Sequence, residues 1–376
     1  MTEIEIESMD EDDFIRSLAH PEAKKEYILE RNKKSREIKS NYNKEKKFFA
    51  DRIVNMIEED KRHSSIINSC ISPFTTGPLF GTDYKFIRAA PLFELNLPNM
   101  DFLLFKRNSD CNIAIFGECK GSFSDPASII KELNERKSCI EQKKEYIIDN
   151  YLHLSPNERV HFEYVIAVPD KDAARMQNCI IDKDSGFILW QTSLTGKAEI
   201  SCIFPPSKLD PKEKMMHIDH TLRKQFNGGR SIECLRVMID YFPQSYEFNK
   251  LSILILAAKF NASKDSERIV TKKDLNDFIS KNIFYMDNEF IQSEVAQVIS
   301  KGLEIEFLTK LEESVEECYA ITTNPQKSNS LERHLKAKWI KSKLEKEFQR
   351  MKQEAILEIR IKFEKARAQK RLSDFT

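Results

Sequence analysis

The residues of this chain best placed to do chemistry are Asp101 and the triplet Glu118-Cys119-Lys120, because the stretch between them reads as one β-hairpin. Met100 to Arg107 (MDFLLFKR) and Cys111 to Gly121 (CNIAIFGECKG) are apolar, β-prone runs split by the turn-forming cluster Asn108-Ser109-Asp110. With Ser109-Asp110 as a two-residue loop, Asn108 faces Cys111; 108 and 111 add to 219, and so do 101 and 118. The expected register therefore sets the carboxylates of Asp101 and Glu118 directly opposite one another, with Lys120 on the same face two residues on.

Two facing carboxylates destabilise a sheet unless something neutralises them. A divalent cation between them removes that cost in a hard, oxygen-ligated site of the kind Mg²⁺ prefers. A neighbouring lysine can orient and help deprotonate an attacking water while the cation stabilises charge on a phosphate. Such a set is suited to metal-assisted hydrolysis of a phosphodiester. The tripeptide pattern alone carries little, since Glu-x-Lys recurs at Glu22, Glu37, Glu45, Glu59, Glu135 and Glu141 in a chain that is 32% charged. Only the copy at Glu118 ends an apolar strand run with an acid at the mirrored hairpin position. The plain alternative is an edge hairpin whose polar face is solvated.

The elements needed to position these residues follow in a consistent order. A helix is expected from about Asn43 to Lys61, then a strand at Phe86 to Leu97, the hairpin, a long helix at Pro126 to Leu152 and a strand at His161 to Pro169. Ser124-Asp125-Pro126 is a helix start, a cap followed by proline at the first helical position. Phe162 to Val168 (FEYVIAV) suits a buried central strand. A short helix near Asp172 to Ile181 and a strand at Phe187 to Leu194 complete the series.

Asp101, Glu118 and Lys120 in this setting resemble the PD-(D/E)xK nuclease superfamily, the fold of many restriction endonucleases. Met100, rather than proline, precedes Asp101, and Pro98 stands two residues earlier. The resemblance covers roughly residues 43 to 205. It implies an α/β fold with a restriction-endonuclease-like core, a mixed sheet flanked by helices. It also implies a Mg²⁺-dependent DNA endonuclease, with Mn²⁺ as substitute, and by analogy a type II restriction enzyme. The metal is assigned to Asp101, Glu118 and Cys119, and the water-positioning role to Lys120. Many members carry a glutamate on the first helix that reaches the metal. Glu45 is the candidate, on a stripe with Phe48, Phe49, Arg52, Ile53 and Met56, and Glu58 and Glu59 compete with it. On the second helix, Lys131, Lys137, Gln142 and Tyr146 are candidates to face substrate phosphates, or form an ordinary solvated face. Double-stranded DNA is the implied partner, and a homodimer is implied for cutting both strands. The alternatives are a recombination, repair or transposon-end nuclease of the same superfamily, an RNA-cleaving one, and a non-catalytic DNA-binding protein that retains the fold.

Composition sets the bounds. Net charge is zero, with 60 basic and 60 acidic residues, so the chain as a whole does not announce nucleic-acid binding. Charge is nonetheless segregated: residues 1 to 13 are acidic, and Lys24 to Lys47 and the C-terminus are basic. The eight cysteines show no Cys-x-x-Cys pair, and read as reduced thiols of a cytoplasmic protein, nucleoid-associated if prokaryotic. His217-Ile218-Asp219-His220 offers two histidines with no third ligand in view. No apolar run suits a membrane span, and the acidic start does not suit a signal peptide. With no Gly-rich phosphate loop and only nine glycines, a nucleotide cofactor is not expected.

The expected organisation is an acidic, disordered tail at 1–20, the nuclease-like domain with its basic N-terminal helix at 21–205, and a linker at 206–230. Residues 231–325 then form a mainly helical domain for DNA recognition or assembly. Its helical patterns lie at Ile232 to Phe242, Leu251 to Phe260, Lys272 to Asn282 and Ser293 to Leu303, and a small hairpin follows at Ile305 to Lys310 and Glu317 to Thr322. Helices followed by a hairpin resemble a winged helix, with Gln292 to Lys301 as recognition helix; an unspecialised helical or dimerisation module is the alternative. Residues 331–372 form a basic amphipathic helix with 14 Lys or Arg against 6 Asp or Glu, suited to internal packing, dimerisation or DNA phosphates.

Overall fold

A computed structural model describes residues 9–373 apart from 19, 76–78, 156, 194–197, 204–215, 227–231, 235–246, 261–268, 283–287, 312–316 and 323–329. The chain divides into two compact units, one of Met1–Met56 with Arg333–Thr376 and one of Ile57–Glu332. No described helix is long and apolar enough to cross a membrane.

The second unit is built on a seven-stranded sheet whose strands lie side by side in chain order. They are β1 (Lys85–Ala89), β2 (Phe102–Lys106), β3 (Asn112–Cys119), β4 (Val160–Pro169), β5 (Ile188–Ser193), β6 (Ala198–Ile203) and β7 (Ile232–Cys234). β1–β2–β3 and β5–β6–β7 pair antiparallel, and helical crossovers make β3–β4 and β4–β5 parallel. The crossover helices are Pro126–Gln142 and Asp170–Asp182. Both carboxylate oxygens of Asp125 cap the first, at 2.9 Å from Ala127 N and 3.2 Å from Ser128 N. One face of the sheet buries Ile113, Ile115, Cys119, Val165 and Trp190 against Ile66, Ile67, Cys70 and Phe74 of the helix Pro21–Thr75. The other buries Ala114, Phe116, Tyr164 and Ile166 with Ile130 and Leu133 of the first crossover helix and Met176 of the second. The result is an α/β architecture, a mixed sheet between helical layers. Every residue of β3 is buried, as a strand covered on both faces requires.

The hairpin carries the expected register: Phe102 faces Gly117, Leu104 faces Ile115 and Lys106 faces Ile113, each pair adding to 219. Its loop is wider than two residues, because the strands end at Lys106 and Asn112, where Asn112 Oδ1 accepts from Asn108 N at 3.0 Å. Gly117 is required by its partner. A Cβ there would stand 1.9 Å from Phe102 Cζ.

Several expectations are corrected. The first helix runs over 55 residues, Pro21–Thr75, rather than ending near Lys61. The strand from Phe86 stops at Ala89, because Ala90 turns to φ 43° and its N–H donates to Asp101 O at 3.0 Å. A 3₁₀ turn, Phe93–Leu95, replaces the rest. The helix from Pro126 breaks at Lys143 and continues as Lys144–Ile147 and a π-helical turn, Ile148–Leu152. Ile232 opens the strand β7 rather than a helix, and 235–242 lie outside the described residues.

The expected linker is also partly core. Its helix His220–Gln225 sends Leu222, with Phe226 just after it, into the sheet's apolar cluster. His217 is fully buried, with Trp190 Nε1 donating to its Nε2 at 2.9 Å and Glu163 Oε2 2.6 Å from its Nδ1. Since Trp190 can only donate, His217 Nε2 accepts and Nδ1 carries the proton given to Glu163. Ile218 N donates to the other Glu163 oxygen at 2.6 Å. Asp219 caps the helix and pairs with Lys106 at 2.9 Å, and its carboxyl is held below its ordinary range despite burial, by that lysine and the backbone N–H of Thr221. These residues fasten the segment to the sheet instead of forming a metal site.

Beyond the sheet, helix Glu247–Phe260, strand β8 (Ile269–Thr271), helices Lys272–Asn282 and Asn288–Glu304, and strands β9 (Leu308–Leu311) and β10 (Cys318–Ile321) follow in order. The three strands form an antiparallel sheet in the order β8-β10-β9.

In the other unit, the acidic segment is partly a helix, Glu11–Ser17, with Glu11, Asp12 and Asp13 in its first turn. Its Phe14 packs with Tyr27 and with Ile359 of the long helix Leu331–Ser373, while residues 1–8 lie outside the description. That terminal helix packs its apolar stripe internally: Tyr42 donates to Leu344 O at 2.9 Å and sets its ring, tilted, 5.0 Å from that of Phe348.

Gly117→Ala is expected to destabilise the chain by about 1–3 kcal/mol, read from the denaturant midpoint, because the Phe102 ring has to leave its place. Combining it with Phe102→Leu should cost less than the two single losses together. His217→Ala is expected to cost about 3–5 kcal/mol, since it leaves the Glu163 carboxylate buried with a single backbone donor.

Candidate active site

The end of the hairpin remote from its loop gathers charged side chains from four segments. Asp101 and Glu118 each lie one residue beyond the last ladder pair, Phe102 with Gly117, and close enough for the charge of Asp101 to act on Glu118. The N–H of Cys119 donates to Asp101 Oδ2 at 2.6 Å and closes the hairpin end. The same oxygen lies 3.1 Å from Nε2 of His63, on the helix Pro21–Thr75. A carboxylate can only accept, so the imidazole donates there. Oδ1 accepts no hydrogen bond from the described residues.

Glu118 is 2% exposed and is held at both oxygens. Oε1 lies 2.8 Å from Lys120 Nζ and Oε2 2.8 Å from Arg136 Nη1. Arg136 comes from the crossover helix; it also donates to Asn99 O at 2.7 Å and pairs with Glu132 one turn earlier. Lys120 Nζ lies 3.6 Å from Glu132, so the two cations and two glutamates form a closed network.

The electrostatics follow from burial. Removal from water, with the charge of Asp101 added, pushes the Glu118 carboxyl up to about 7 against the pull of Lys120 and Arg136. Burial opposes the charge on Lys120, yet the attraction and hydrogen bond of Glu118 outweigh it and raise the ammonium above its ordinary range. Lys120 is therefore a proton donor here, able to orient a water or a phosphate oxygen, and not a free base. His63 shows the same balance: burial disfavours the imidazolium, and the hydrogen bond and charge of Asp101, then Glu118, raise it overall.

Asp101, Glu118 and Lys120 are thus brought together, and the remaining candidates are placed elsewhere. The Cys119 thiol points into the core beside Cys70, sulfur to sulfur 4.0 Å, and burial, then that neighbour, raises it well above its ordinary value. Only the Cys119 main chain reaches the site. Glu45 is exposed and belongs to the other unit; the helix residue bonded to Asp101 is His63. Glu58 and Glu59 are exposed as well. Lys137 covers the rings of Tyr164 and Phe187, and the Tyr146 hydroxyl pairs with that of Tyr151 at 3.2 Å. Gln142 is exposed, and Lys131 lines a shallow cleft with Asn134, Ser138 and Lys183.

His63 and Arg136 are the residues that sequence reasoning missed. The signal for His63 was its position on one helical stripe with the buried Ile67, Cys70 and Phe74. For Arg136 the signal was the i,i+4 spacing from Glu132.

Among the described residues, no group of three or more His, Cys, Asp or Glu side chains is arranged to hold a metal ion. Two carboxylates, one with an open oxygen, form a donor set compatible with Mg²⁺, which commonly takes one or two carboxylates and completes its shell with water and phosphate oxygens. They do not meet the four-ligand requirement of structural zinc.

Because Glu118 is harder to ionise folded than unfolded, its contribution to stability is complete below about pH 4.5 and lost as pH rises through about 7. His63, also raised, acts in the same direction. Glu118→Gln is therefore expected to flatten the fall in melting temperature between pH 5 and pH 8. Parallel melting curves for parent and variant across that range would contradict the assignment.

No protein-family model matches the sequence, and no curated protein matches it.

Proposed function

We propose that this chain is a Mg²⁺-dependent DNA endonuclease with a restriction-endonuclease-like core, acting on double-stranded DNA as a site-specific enzyme of the type II restriction class. The observation that carries this reading is Asp101 beside a buried Glu118 whose Oε1 is 2.8 Å from Lys120, just past the last ladder pair of a covered sheet. Asp101 and Glu118 would hold the cation, which when bound stabilises charge on the phosphate and acidifies a water. Lys120, kept as an ammonium, donates to the attacking water or to a phosphate oxygen. Arg136 acts through Glu118, fixing its carboxylate from the side away from Lys120. His63 replaces Glu45 as the helix residue that orients Asp101.

The region 247–321 supports a DNA-reading role. Helix, strand, two helices and two strands, with the sheet order β8-β10-β9, resembles the arrangement of a winged helix and supports this reading. The helix Asn288–Glu304 would be the recognition helix, and it exposes Gln292, Ser293, Gln297 and Ser300, uncharged groups able to read base edges. Cutting both strands would call for a homodimer, because one such site cuts one strand.

A second reading, a DNA-binding scaffold without activity, is favoured by one observation: both Glu118 oxygens already carry protein cations. Incubation with Mg²⁺ and a large unmethylated duplex, beside a branched junction and single-stranded DNA, separates the readings. Discrete duplex fragments are expected, and Asp101→Ala and Lys120→Ala should each lower the rate by about 10²–10⁴-fold. Cutting of only the junction or single strands would move the protein to recombination or repair. DNA bound but never cut would establish the scaffold.

A further inference from the structure

The cations in the hydrogen-bonded network of the site are committed to its own carboxylates. Lys120 and Arg136 are held by Glu118 and Glu132, and His63 by Asp101, so three basic groups face three acidic ones. The side chains of this network alone therefore offer a polyanionic substrate no net positive charge, and a cation that the protein leaves unpaired would add to its recruitment.

Arg62, one residue before His63, meets that description. A Cβ added at Gly121, the residue after Lys120, would stand 3.5 Å from Arg62 Cδ, 3.6 Å from its Cγ and 3.8 Å from His63 N. The arginine stem therefore lies along the Gly121 main chain, which brings its Cδ beside the residue that follows Lys120. Arg62 is exposed, and among the described residues its guanidinium has no hydrogen bond or ion pair. The other arginines around this half of the sheet are engaged. Arg88 pairs with Glu94 and Arg136 with Glu118, and Arg175 bonds Ser124 O and covers the Phe123 ring.

We infer that Arg62 binds a backbone phosphate of the nucleic-acid substrate next to the one presented to Lys120. A guanidinium on a rigid helix, with its stem already packed, keeps its two-pronged geometry for phosphate oxygens and loses little freedom on binding. The inference rests on the nuclease reading and adds the residue that recruits substrate, distinct from those that act on it.

The test uses the full chain in EDTA with a fluorescent duplex, with anisotropy titrations over a series of salt concentrations. Arg62→Gln is expected to weaken binding and to lower the slope of log K against log salt by about 1, one phosphate contact fewer. Arg62→Lys should keep the slope. With Mg²⁺ added, Arg62→Gln should raise KM and leave kcat within about 2-fold, a split that a merely structural role would not give. Unchanged affinity and slope in Arg62→Gln, or a loss confined to kcat, would overturn the inference while leaving the nuclease reading intact in a parent that binds and cuts. A parent that neither binds nor cuts duplex DNA would overturn both.

Discussion

A carboxylate that is 2% exposed cannot ionise alone, and the arrangement around Glu118 follows from that constraint. Lys120, two residues along the strand, takes one oxygen, and Arg136, from the helix that covers the sheet, takes the other. Arg136 in turn binds Asn99 O, just ahead of β2, so one guanidinium joins helix, strand and hairpin base. Asp101 is tied into the same unit by the Cys119 N–H and by His63. Removing any of these partners leaves a charge stranded where water does not reach easily. The site is therefore rigid for the same reason that it is costly to build.

The sheet is organised so that this constraint can be met. Both faces of β3 are covered, which drives Glu118 out of water, and the strand ends immediately after Cys119, which leaves Lys120 room to turn back. Gly117 lets the Phe102 ring lie flat across the hairpin one step before the acids, pinning the register that leads into them. On the neighbouring strand β4, Glu163 poses the same burial problem and meets it differently, with a neutral histidine, itself held by an indole, and a backbone N–H. One buried glutamate is surrounded by cations and opens to the surface through Lys120; the other is sealed. That contrast is a physical ground for placing chemistry at Glu118 and structure at Glu163.

The hairpin was legible in the sequence because strand alternation has period 2: once the apolar runs and their turn are located, a single sum fixes which residues face. Lys120 follows from the same parity. His63 was hidden inside the charged run Glu58 to His63, which reads as a helix end, although the helix continues through the apolar Ile66, Ile67, Cys70 and Ile71. Glu45 lies on an equally good stripe, and periodicity cannot say which part of a 55-residue helix meets the sheet. Arg136 sits between Glu135 and Lys137, where composition gives no preference, and only the tertiary position of Glu118 selects it. The core role of His217 was obscured by surrounding prolines and glycines and depends on Glu163, 54 residues earlier.

The most direct test of this account is whether Mg²⁺ or Mn²⁺ binds at the carboxylates of Asp101 and Glu118. Melting the full chain with and without millimolar metal, in the parent and in Asp101→Asn, reads that binding without requiring any substrate. Metal at about 100 times its Kd is expected to stabilise the parent by about 2.7 kcal/mol and to leave Asp101→Asn unmoved. An equal shift in both proteins, or none in the parent, would contradict a metal-dependent site at Asp101 and Glu118.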